Sequence, residues 1–282
     1  MRAAFPYLGR GSWLASRDPR VLLLAAILFV IGASQLRDSR HLAVVLTLAL
    51  GYYTTARIPW RAVRLQWIYL LVVISFFAFF NTLISGGRTS TFTGADTHVL
   101  LTIPPFGAEL SAEGLSLMLS QILRYAGVAA IGFPIAYAIA PGDLGVALRR
   151  LGVTDKIAVM VDLTIRFIPT LSGEFAETID AQRVRGYDPT DRKGGPIRRL
   201  RRLAPIFVPV TVGSIAGAED TIDAMDLRGF GVGRRTWLRH LRFDRLDAMV
   251  IGLFVLFAIG ATFLNVSGRT DHFLLPFLVP GE

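Results

Sequence analysis

The chain contains no cysteine, which excludes disulfide bonds, thiol catalysis and metal sites built from cysteine. Its four histidines are far apart and lack the spacing of metal ligands. No arrangement of serine, histidine and aspartate marks a catalytic pocket. We therefore expect no catalytic residue, no metal site and no cofactor.

Charged residues are scarce as well, at 18% of the chain, and the apolar residues are concentrated in long runs. Hydrophobic residues make up 52%, the mean hydropathy is +0.51 and the formal net charge is +9. A soluble domain does not usually arrange its apolar residues in this way. The composition predicts a basic membrane protein.

Five apolar segments predict an all-α polytopic membrane protein with about five transmembrane helices. A spanning helix needs about 20 residues, and the third, fourth and fifth segments reach that length. The first two are shorter and form either a tight pair or a re-entrant or mismatched one. The segments are, approximately, Val21–Ser34, His41–Thr55, Gln66–Ile84, Gly114–Ala140 and Leu246–Val266.

Positive charge predicts the orientation, because lysine and arginine are retained on the cytoplasmic side of a membrane. Residues 141–245 contain eighteen of them, whereas the loop formed by residues 85–113 contains one. We therefore expect the N-terminus and residues 141–245 inside, and the loop and the C-terminus outside. The outer loop should be irregular, apart from a short hairpin around Val99–Ile103.

The chain divides accordingly into three predicted parts. Residues 1–140 contain the first four membrane helices, residues 141–245 form the cytoplasmic region, and residues 246–282 contain the last membrane helix and an outer tail. A short amphipathic helix over residues 143–152 opens the cytoplasmic region. Two long amphipathic helices follow, and we expect them to cross beneath the membrane.

The two long helices are predicted from Thr154 to Gly186 and from about Ile197 to Gly229. Their apolar residues recur every three or four positions, which predicts an apolar seam along each helix. We expect these seams to hold the crossed helices together. The seam of the second helix comprises Ile197, Leu200, Ala204, Phe207, Thr211, Ile215, Ala218, Ile222 and Met225.

A twelve-residue pattern occurs twice, once at the end of each long helix. Residues 177–188 read ETIDAQRVRGYD, and 43 positions later residues 220–231 read DTIDAMDLRGFG, with six positions identical. Helix capping explains an arginine followed by a glycine, but it does not require the preceding turns to match. The repeat therefore predicts one task performed at two equivalent places, most simply on a pair of identical or homologous subunits.

We predict that Arg185 and Arg228 are presented to a carboxylate or carbonyl groove of a partner, since a guanidinium stays charged and bonds in two directions. Gly186 and Gly229 are expected to let the chain turn and to allow close approach. The residues expected to support this docking are Val184, Tyr187, Leu227, Phe230, Asp180 and Asp223.

Other charged residues have structural explanations. Arg124, inside the fourth apolar segment, should face the bundle interior, with Asn81 as its expected partner. Asp162 and Arg166 are four residues apart on one helix and should form a pair. Four arginines between residues 198 and 202 are interleaved with the apolar seam, which indicates lipid headgroups rather than nucleic acid.

These residues resemble the transmembrane T component of energy-coupling-factor (ECF) transporters, a family that includes the T subunits of cobalt and biotin systems. That family carries two Ala-Arg-Gly motifs at the ends of two long cytoplasmic coupling helices. Here they match Val184-Arg185-Gly186 and Leu227-Arg228-Gly229, with the leading alanine replaced in both. The likeness covers nearly the whole chain. Further similar pieces are Asp18-Pro19-Arg20, Phe80-Asn81, Glu113-Gly114-Leu115, residues 141–152, Arg166-Phe167-Ile168-Pro169, Glu174 and Ala181-Gln182-Arg183.

The resemblance implies a scaffold and not an enzyme. In that family, two cytosolic ABC-type ATPases bind the coupling helices, and each motif arginine docks in a groove on one ATPase. A separate membrane protein, the S component, binds the substrate, which is a vitamin or a transition-metal ion. The resemblance also implies a multi-pass protein in the cytoplasmic membrane of a prokaryote, with the ATPases, the S component and the lipid bilayer as partners.

Two other classes of function are considered. A membrane enzyme with an active site at the cytoplasmic interface needs a cluster of acids, for which Asp155, Asp162 and Asp180 are the candidates on one helix. An ordinary ABC importer permease has one coupling loop per subunit and forms dimers, without an internal pair of Arg-Gly ends. The proteins that copurify with the chain distinguish these classes.

Overall fold

The computed structural model describes residues 12–85, 99–103, 108–187, 196–233 and 241–269. Within these residues the chain forms eight α-helices and one antiparallel pair of short strands. The all-α class predicted for this membrane protein is confirmed. The helices are α1 (Pro19–Gln35), α2 (Ser39–Thr55), α3 (Trp60–Ser85), α4 (Ala112–Ala138), α5 (Leu144–Arg150), α6 (Asp155–Val184), α7 (Pro196–Leu227) and α8 (Arg245–Val266), and the strands are β1 (Val99–Ile103) and β2 (Ala108–Ser111).

The chain separates into two compact units. One consists of Pro6–Ala140 and Leu241–Glu282 and contains α1–α4 and α8, and we call it the membrane unit. The other consists of Met1–Phe5 and Pro141–His240 and contains α5–α7, and we call it the coupling unit. The last apolar helix thus belongs to the same unit as the first four, although more than a hundred residues separate α4 from α8.

Three helices in the described part of the chain, α3, α4 and α8, are long and apolar enough to cross a membrane. α1 is a shorter apolar helix, and both α1 and α2 contain 17 residues. Such a helix is about 26 Å long at 1.5 Å per residue, slightly less than the roughly 30 Å of a hydrocarbon core. The structure therefore confirms a multi-pass protein in which the first two helices are the short ones.

Polar caps set the starts of the helices in the membrane unit. The Asp18 carboxylate accepts a hydrogen bond from a backbone N–H in the first turn of α1, and Asp38 does the same for α2. Ser111 caps α4. Asp244 and Asp247 form a reciprocal capping box at the start of α8. Because these residues satisfy N–H groups that a helix leaves unpaired, they determine where each helix begins.

Close packing of aromatic rings joins α1 to α8. The Phe29 ring stacks on the Phe257 ring at a centroid distance of 5.4 Å. A Cβ atom at Gly32 would lie 2.5 Å from the Phe257 ring, so glycine is required for this approach. Further along, the Gln35 side chain donates a hydrogen bond to Thr262 at 2.9 Å. α1 and α8 therefore pack side by side from Phe29 to Gln35 on α1.

The hairpin predicted around Val99–Ile103 is confirmed, because this segment is β1 and pairs with β2 in antiparallel fashion. The rest of the predicted outer loop, residues 86–98 and 104–107, lies outside the described residues. β2 leads directly into α4, and the hydroxyl of its last residue, Ser111, caps that helix.

The predicted partner of Arg124 is wrong. Gln121, one turn earlier on α4, donates to the Asn81 side chain at 3.3 Å. The Arg124 guanidinium donates instead to the backbone carbonyl of Leu36 at 2.6 Å. Leu36 follows the last residue of α1, where carbonyl groups have no partner within the helix. In hydrocarbon such a carbonyl needs a donor from elsewhere, and Arg124 supplies it.

Candidate docking ends of the coupling helices

The short helix α5 fixes the start of α6 within the coupling unit. A Cβ atom at Gly145 would lie 2.7 Å from the carbonyl oxygen of Ala158 and 3.0 Å from Cβ of Asp162, so the two helices are in backbone contact. Ala158 is fully buried. Arg149, near the end of α5, also forms an ion pair with Asp155 in the first turn of α6. α5 therefore supports the first two turns of the longer helix.

α6 and α7 contact each other near their centres. The Phe175 and Phe207 rings meet edge to face with centroids 5.4 Å apart. The Ser214 hydroxyl donates to the Glu174 carboxylate at 3.3 Å. Adjacent residues on α6 thus reach positions on α7 that are seven residues, or about 10 Å, apart along the helix. This pattern indicates helices that cross, in agreement with the crossed pair predicted from the sequence.

The face of α7 that is buried differs from the predicted seam. Ile206 and Val210 are buried, and neither belongs to that seam. Of the predicted seam, Phe207 contacts Phe175, but Ile215 and Ile222 are more than half exposed. The periodicity of a helix shows that an apolar face exists, whereas the crossing point decides which part is covered. The exposed part remains as an apolar surface on α7, formed by Phe207, Val208, Val212, Ile215 and Ile222.

The end of α6 is a Schellman motif. Gly186 has a positive φ of +83°, a conformation that glycine adopts without a steric penalty. Its N–H donates to the carbonyl of Arg183 at 2.9 Å, and the N–H of Tyr187 donates to the carbonyl of Gln182 at 3.0 Å. These two bonds satisfy the last carbonyls of the helix and turn the chain away sharply. Arg185 occupies the C-cap position.

The end of α7 repeats this geometry bond for bond. Gly229 has a φ of +64°, and its N–H donates to the carbonyl of Asp226 at 2.9 Å. The N–H of Phe230 donates to the carbonyl of Met225 at 2.9 Å. Arg228 therefore stands at the position that Arg185 has on α6. The sequence repeat corresponds to a structural repeat, which includes the backbone of the turn as well as the side chains.

Both ends present a cation beside an exposed apolar side chain. Arg185 and Arg228 are exposed. Val184 and Leu227, which directly precede them, are each 90% exposed. Tyr187 and Phe230, which follow the glycines, are half-buried. An apolar side chain exposed to this extent beside a cation at the same position of two helices is suited to contact with another protein.

The two ends differ in charge. On α6, the exposed Asp180 carboxylate pairs with Arg183 at 2.9 Å. On α7, Asp223 corresponds to Asp180 and is also exposed, but an aspartate, Asp226, stands where α6 has Arg183. The backbone of the two ends is therefore equivalent, whereas the end of α7 carries more negative charge.

The other residues considered in the sequence analysis have different outcomes. Residues 188–195, which connect the two long helices, are outside the described residues, as are the side chains of residues 196–202. The predicted pair of Asp162 and Arg166 is present at 3.6 Å. Val208 and Val212 were not predicted as part of a functional surface, although their spacing of four residues, continued by Ile215, is a signal for one.

The acids proposed for a membrane enzyme do not converge. Asp155, Asp162 and Asp180 each pair with a nearby arginine. Among the described residues, no group of three histidine or acidic side chains is close enough to hold a metal ion. The arrangement that the structure does build twice is a helix end that presents an arginine beside an exposed apolar side chain.

Comparison with known proteins identifies relatives of this chain. The model of a family described as cobalt transport protein (CbiQ) matches residues 10–237. A protein of Bacillus selenitireducens, named energy-coupling factor transporter transmembrane protein EcfT, is 29% identical over 252 residues, which are 86% of this chain and 88% of the relative. A protein of the same name from Staphylococcus aureus is 26% identical over 93% of this chain and 96% of its own length.

Another relative matches over a shorter segment with a higher sequence identity. The protein of this name from Lactobacillus helveticus is 39% identical over 103 residues, which are 36% of each chain. The family model covers most of the membrane unit and the coupling unit up to residue 237, so both of the Arg-Gly ends lie within the match. With its multi-pass helical membrane unit and its paired helix ends, the chain belongs to the family of transmembrane T components of ECF transporters.

Proposed function

We propose that this T component couples two cytosolic ABC-type ATPases to a separate substrate-binding membrane protein, the S component, for the uptake of a vitamin or a transition-metal ion. The observation that carries the proposal is the pair of Schellman ends, each of which presents an arginine after an apolar residue that is 90% exposed. Two equivalent ends on one chain suit two identical or homologous partner subunits.

Docking through these ends relies on the chemistry of the guanidinium group. Arg185 and Arg228 each offer a planar fork that forms two hydrogen bonds with a carboxylate or with backbone carbonyls of an ATPase groove. Val184 and Leu227 add apolar contact beside the fork, and the half-buried Tyr187 and Phe230 follow each glycine. Asp180 and Asp223 support the presentation of the two arginines from five residues earlier.

The S component is proposed to contact the apolar surface of α7. This surface leaves large side chains such as Val212 and Ile215 about 60% exposed, which is unfavourable in water unless a protein or lipid covers them. Pro169 lies inside α6, and Pro205 and Pro209 lie inside α7, so each helix has a point where backbone hydrogen bonds are missing and bending is easy. ATP-driven closing of the ATPases is proposed to move the helix ends and bend or tilt the helices, which reorients the S component.

The proposed orientation places the coupling unit in the cytoplasm, where the ATPases and ATP are found. The eighteen lysine and arginine residues of residues 141–245 support this side by the positive-inside rule. In the cytoplasmic membrane of a prokaryote, the N-terminus would then be inside and the C-terminus outside. Accessibility of single cysteines, introduced into the cysteine-free chain, to a membrane-impermeant reagent tests this orientation.

Copurification with candidate ABC-type ATPases tests the docking. Arg185→Ala and Arg228→Ala should each weaken ATPase retention in mild detergent, and the double variant should abolish it, because truncating one side of a buried charged contact costs about 2–5 kcal/mol. Arg183→Ala is a matched control, since it removes the same charge from the same helix end but not from the C-cap position. Equal retention by wild type and the double variant would show that the repeat only caps two helices.

A further inference from the structure

An apolar cavity of about 330 Å³ lies inside the membrane unit, between α1, α2, α4 and α8. Phe29 and Ile131 form its inner wall, and the rings of Phe254 and Phe257 form one side. Its volume is about twice that of an engineered apolar cavity of roughly 150 Å³ that binds benzene. It also falls in the range of about 300–1,000 Å³ that is usual for ligand pockets. The coupling function described above does not require this cavity.

The cavity reaches the surface of the membrane unit between α2 and α8. Leu48 on α2 and Leu253 on α8 line it and are 68% and 67% exposed, whereas Phe254 beside them is buried. α8 is one of the helices that are long and apolar enough to span the membrane. Side chains exposed on its apolar surface therefore face acyl chains, and the mouth of the cavity opens toward lipid.

One residue that lines this apolar space has a polar group. Tyr52 is the one residue with a polar side chain among the described residues that line the cavity. Its hydroxyl oxygen is buried and has no hydrogen-bond partner among the described residues, while its ring packs edge to face on Phe254 at 6.1 Å. A buried hydroxyl without an acceptor is unfavourable in hydrocarbon. A water molecule is a poor solution, because a buried water needs two to four polar partners.

The occupant that fits has an apolar body and one hydrogen-bond acceptor. We propose that the cavity binds an acyl chain of a diacyl phospholipid, whose ester carbonyl accepts a hydrogen bond from the Tyr52 hydroxyl. Tyr52 lies three residues before the end of α2 at Thr55, and Arg57 follows shortly after. This places it near the headgroup boundary, where tyrosines are common and where ester groups lie.

The bound chain holds α2 and α8 together. Leu48 and Tyr52 are one turn apart on α2, and Leu253 and Phe257 are one turn apart on α8, so an acyl chain between them contacts two turns of each helix. The lipid completes the apolar packing of the membrane unit and satisfies the Tyr52 hydroxyl at the same time. It therefore acts as a structural lipid, distinct from the S component and the ATPases.

Photolabelling of the full-length protein in lipid nanodiscs tests this proposal. Two phosphatidylglycerol probes carry the same diazirine on the acyl chain but differ in linkage, one being a diester and the other a diether that lacks the carbonyl. The ester probe should label residues around Leu48 or Leu253 about fivefold more than the ether probe, the ratio expected for one net hydrogen bond. Tyr52→Phe should reduce ester labelling to the ether level.

The adjacent tyrosine is a matched control. The Tyr53 hydroxyl oxygen accepts a hydrogen bond from the Trp67 indole at 3.4 Å, so Tyr53→Phe removes the same group without changing the cavity. It should leave the preference for the ester intact. Ala49→Phe, which fills the cavity, and Leu48→Trp, which narrows its mouth at an exposed position, should lower labelling by both probes. Thermal unfolding shows which variants remain folded.

Two results would overturn the proposal. Equal labelling by the ester and ether probes in wild type, or an ester preference that persists in Tyr52→Phe, means that the carbonyl contact does not exist. Labelling that maps elsewhere, or that is unchanged in Leu48→Trp, means that the cavity does not hold an acyl chain. Neither result bears on ATPase docking, which is tested separately.

Discussion

Gly186 and Gly229 are assigned two roles: they let the chain turn, and they allow a partner to approach closely. Substitutions at these glycines separate the two roles. A Cβ atom at Gly186 or Gly229 would meet nothing within 4 Å, so a substitution costs only the strain of a positive φ. For alanine this strain is about 1–2 kcal/mol, whereas asparagine tolerates this conformation better. If glycine serves the turn alone, Gly186→Ala should weaken ATPase retention about fivefold or more, and Gly186→Asn by about twofold or less.

The measurement is the amount of ATPase retained on the purified chain as the ATPase concentration is lowered. Gly173→Ala on the same helix is the control, since its Cβ also meets nothing within 4 Å and its φ is not positive. It should not change retention. Equal losses for alanine and asparagine at Gly186 would refute the argument from the turn. They would mean that the ATPase approaches the glycine too closely for any side chain.

Three further predictions concern stability, each measured by thermal unfolding in detergent. Gly145→Ala should destabilise the coupling unit by about 1–3 kcal/mol, because its Cβ would lie 2.7 Å from the Ala158 carbonyl, whereas Gly173→Ala should not destabilise it. Asp247→Ala should lower the free energy of unfolding by about 1–2 kcal/mol, because it removes half of the capping box of α8 and a buried carboxylate near Arg17. Arg124→Ala should lower the free energy of unfolding by about 1–3 kcal/mol, because the Leu36 carbonyl loses its hydrogen-bond donor. Unchanged stability would contradict this role of Arg124.

The two helix ends are alike in backbone and different in charge. Their hydrogen bonds and glycine conformations match, but Arg183 on α6 is replaced by Asp226 on α7. In the proposed docking, a partner groove that accepts both arginines must therefore tolerate a different charge two residues earlier. The shared turn explains the glycine that both ends have in common, whereas capping does not require the matching Thr-Ile-Asp-Ala residues that precede it.

Features with local causes were predictable from the sequence. The ends of α6 and α7 were predicted within two residues, because glycine at a positive φ and the periodic apolar pattern both mark a helix end along the chain. The hairpin at Val99–Ile103 and the pair of Asp162 and Arg166 also depend on neighbours in sequence. The multi-pass membrane character followed from apolar runs with very few charges, whose length reflects the thickness of a bilayer.

Features that join distant parts of the chain were decided by the tertiary structure. Arg124 donates to Leu36, which is 88 residues away, because the end of α1 leaves a carbonyl that packing brings within reach. Ile206 and Val210 are buried because of where α6 and α7 cross, which periodicity does not specify. The cavity around Tyr52 exists because four helices leave space between them. Sequence alone determined the helices and their ends, and only packing determined which of their side chains meet.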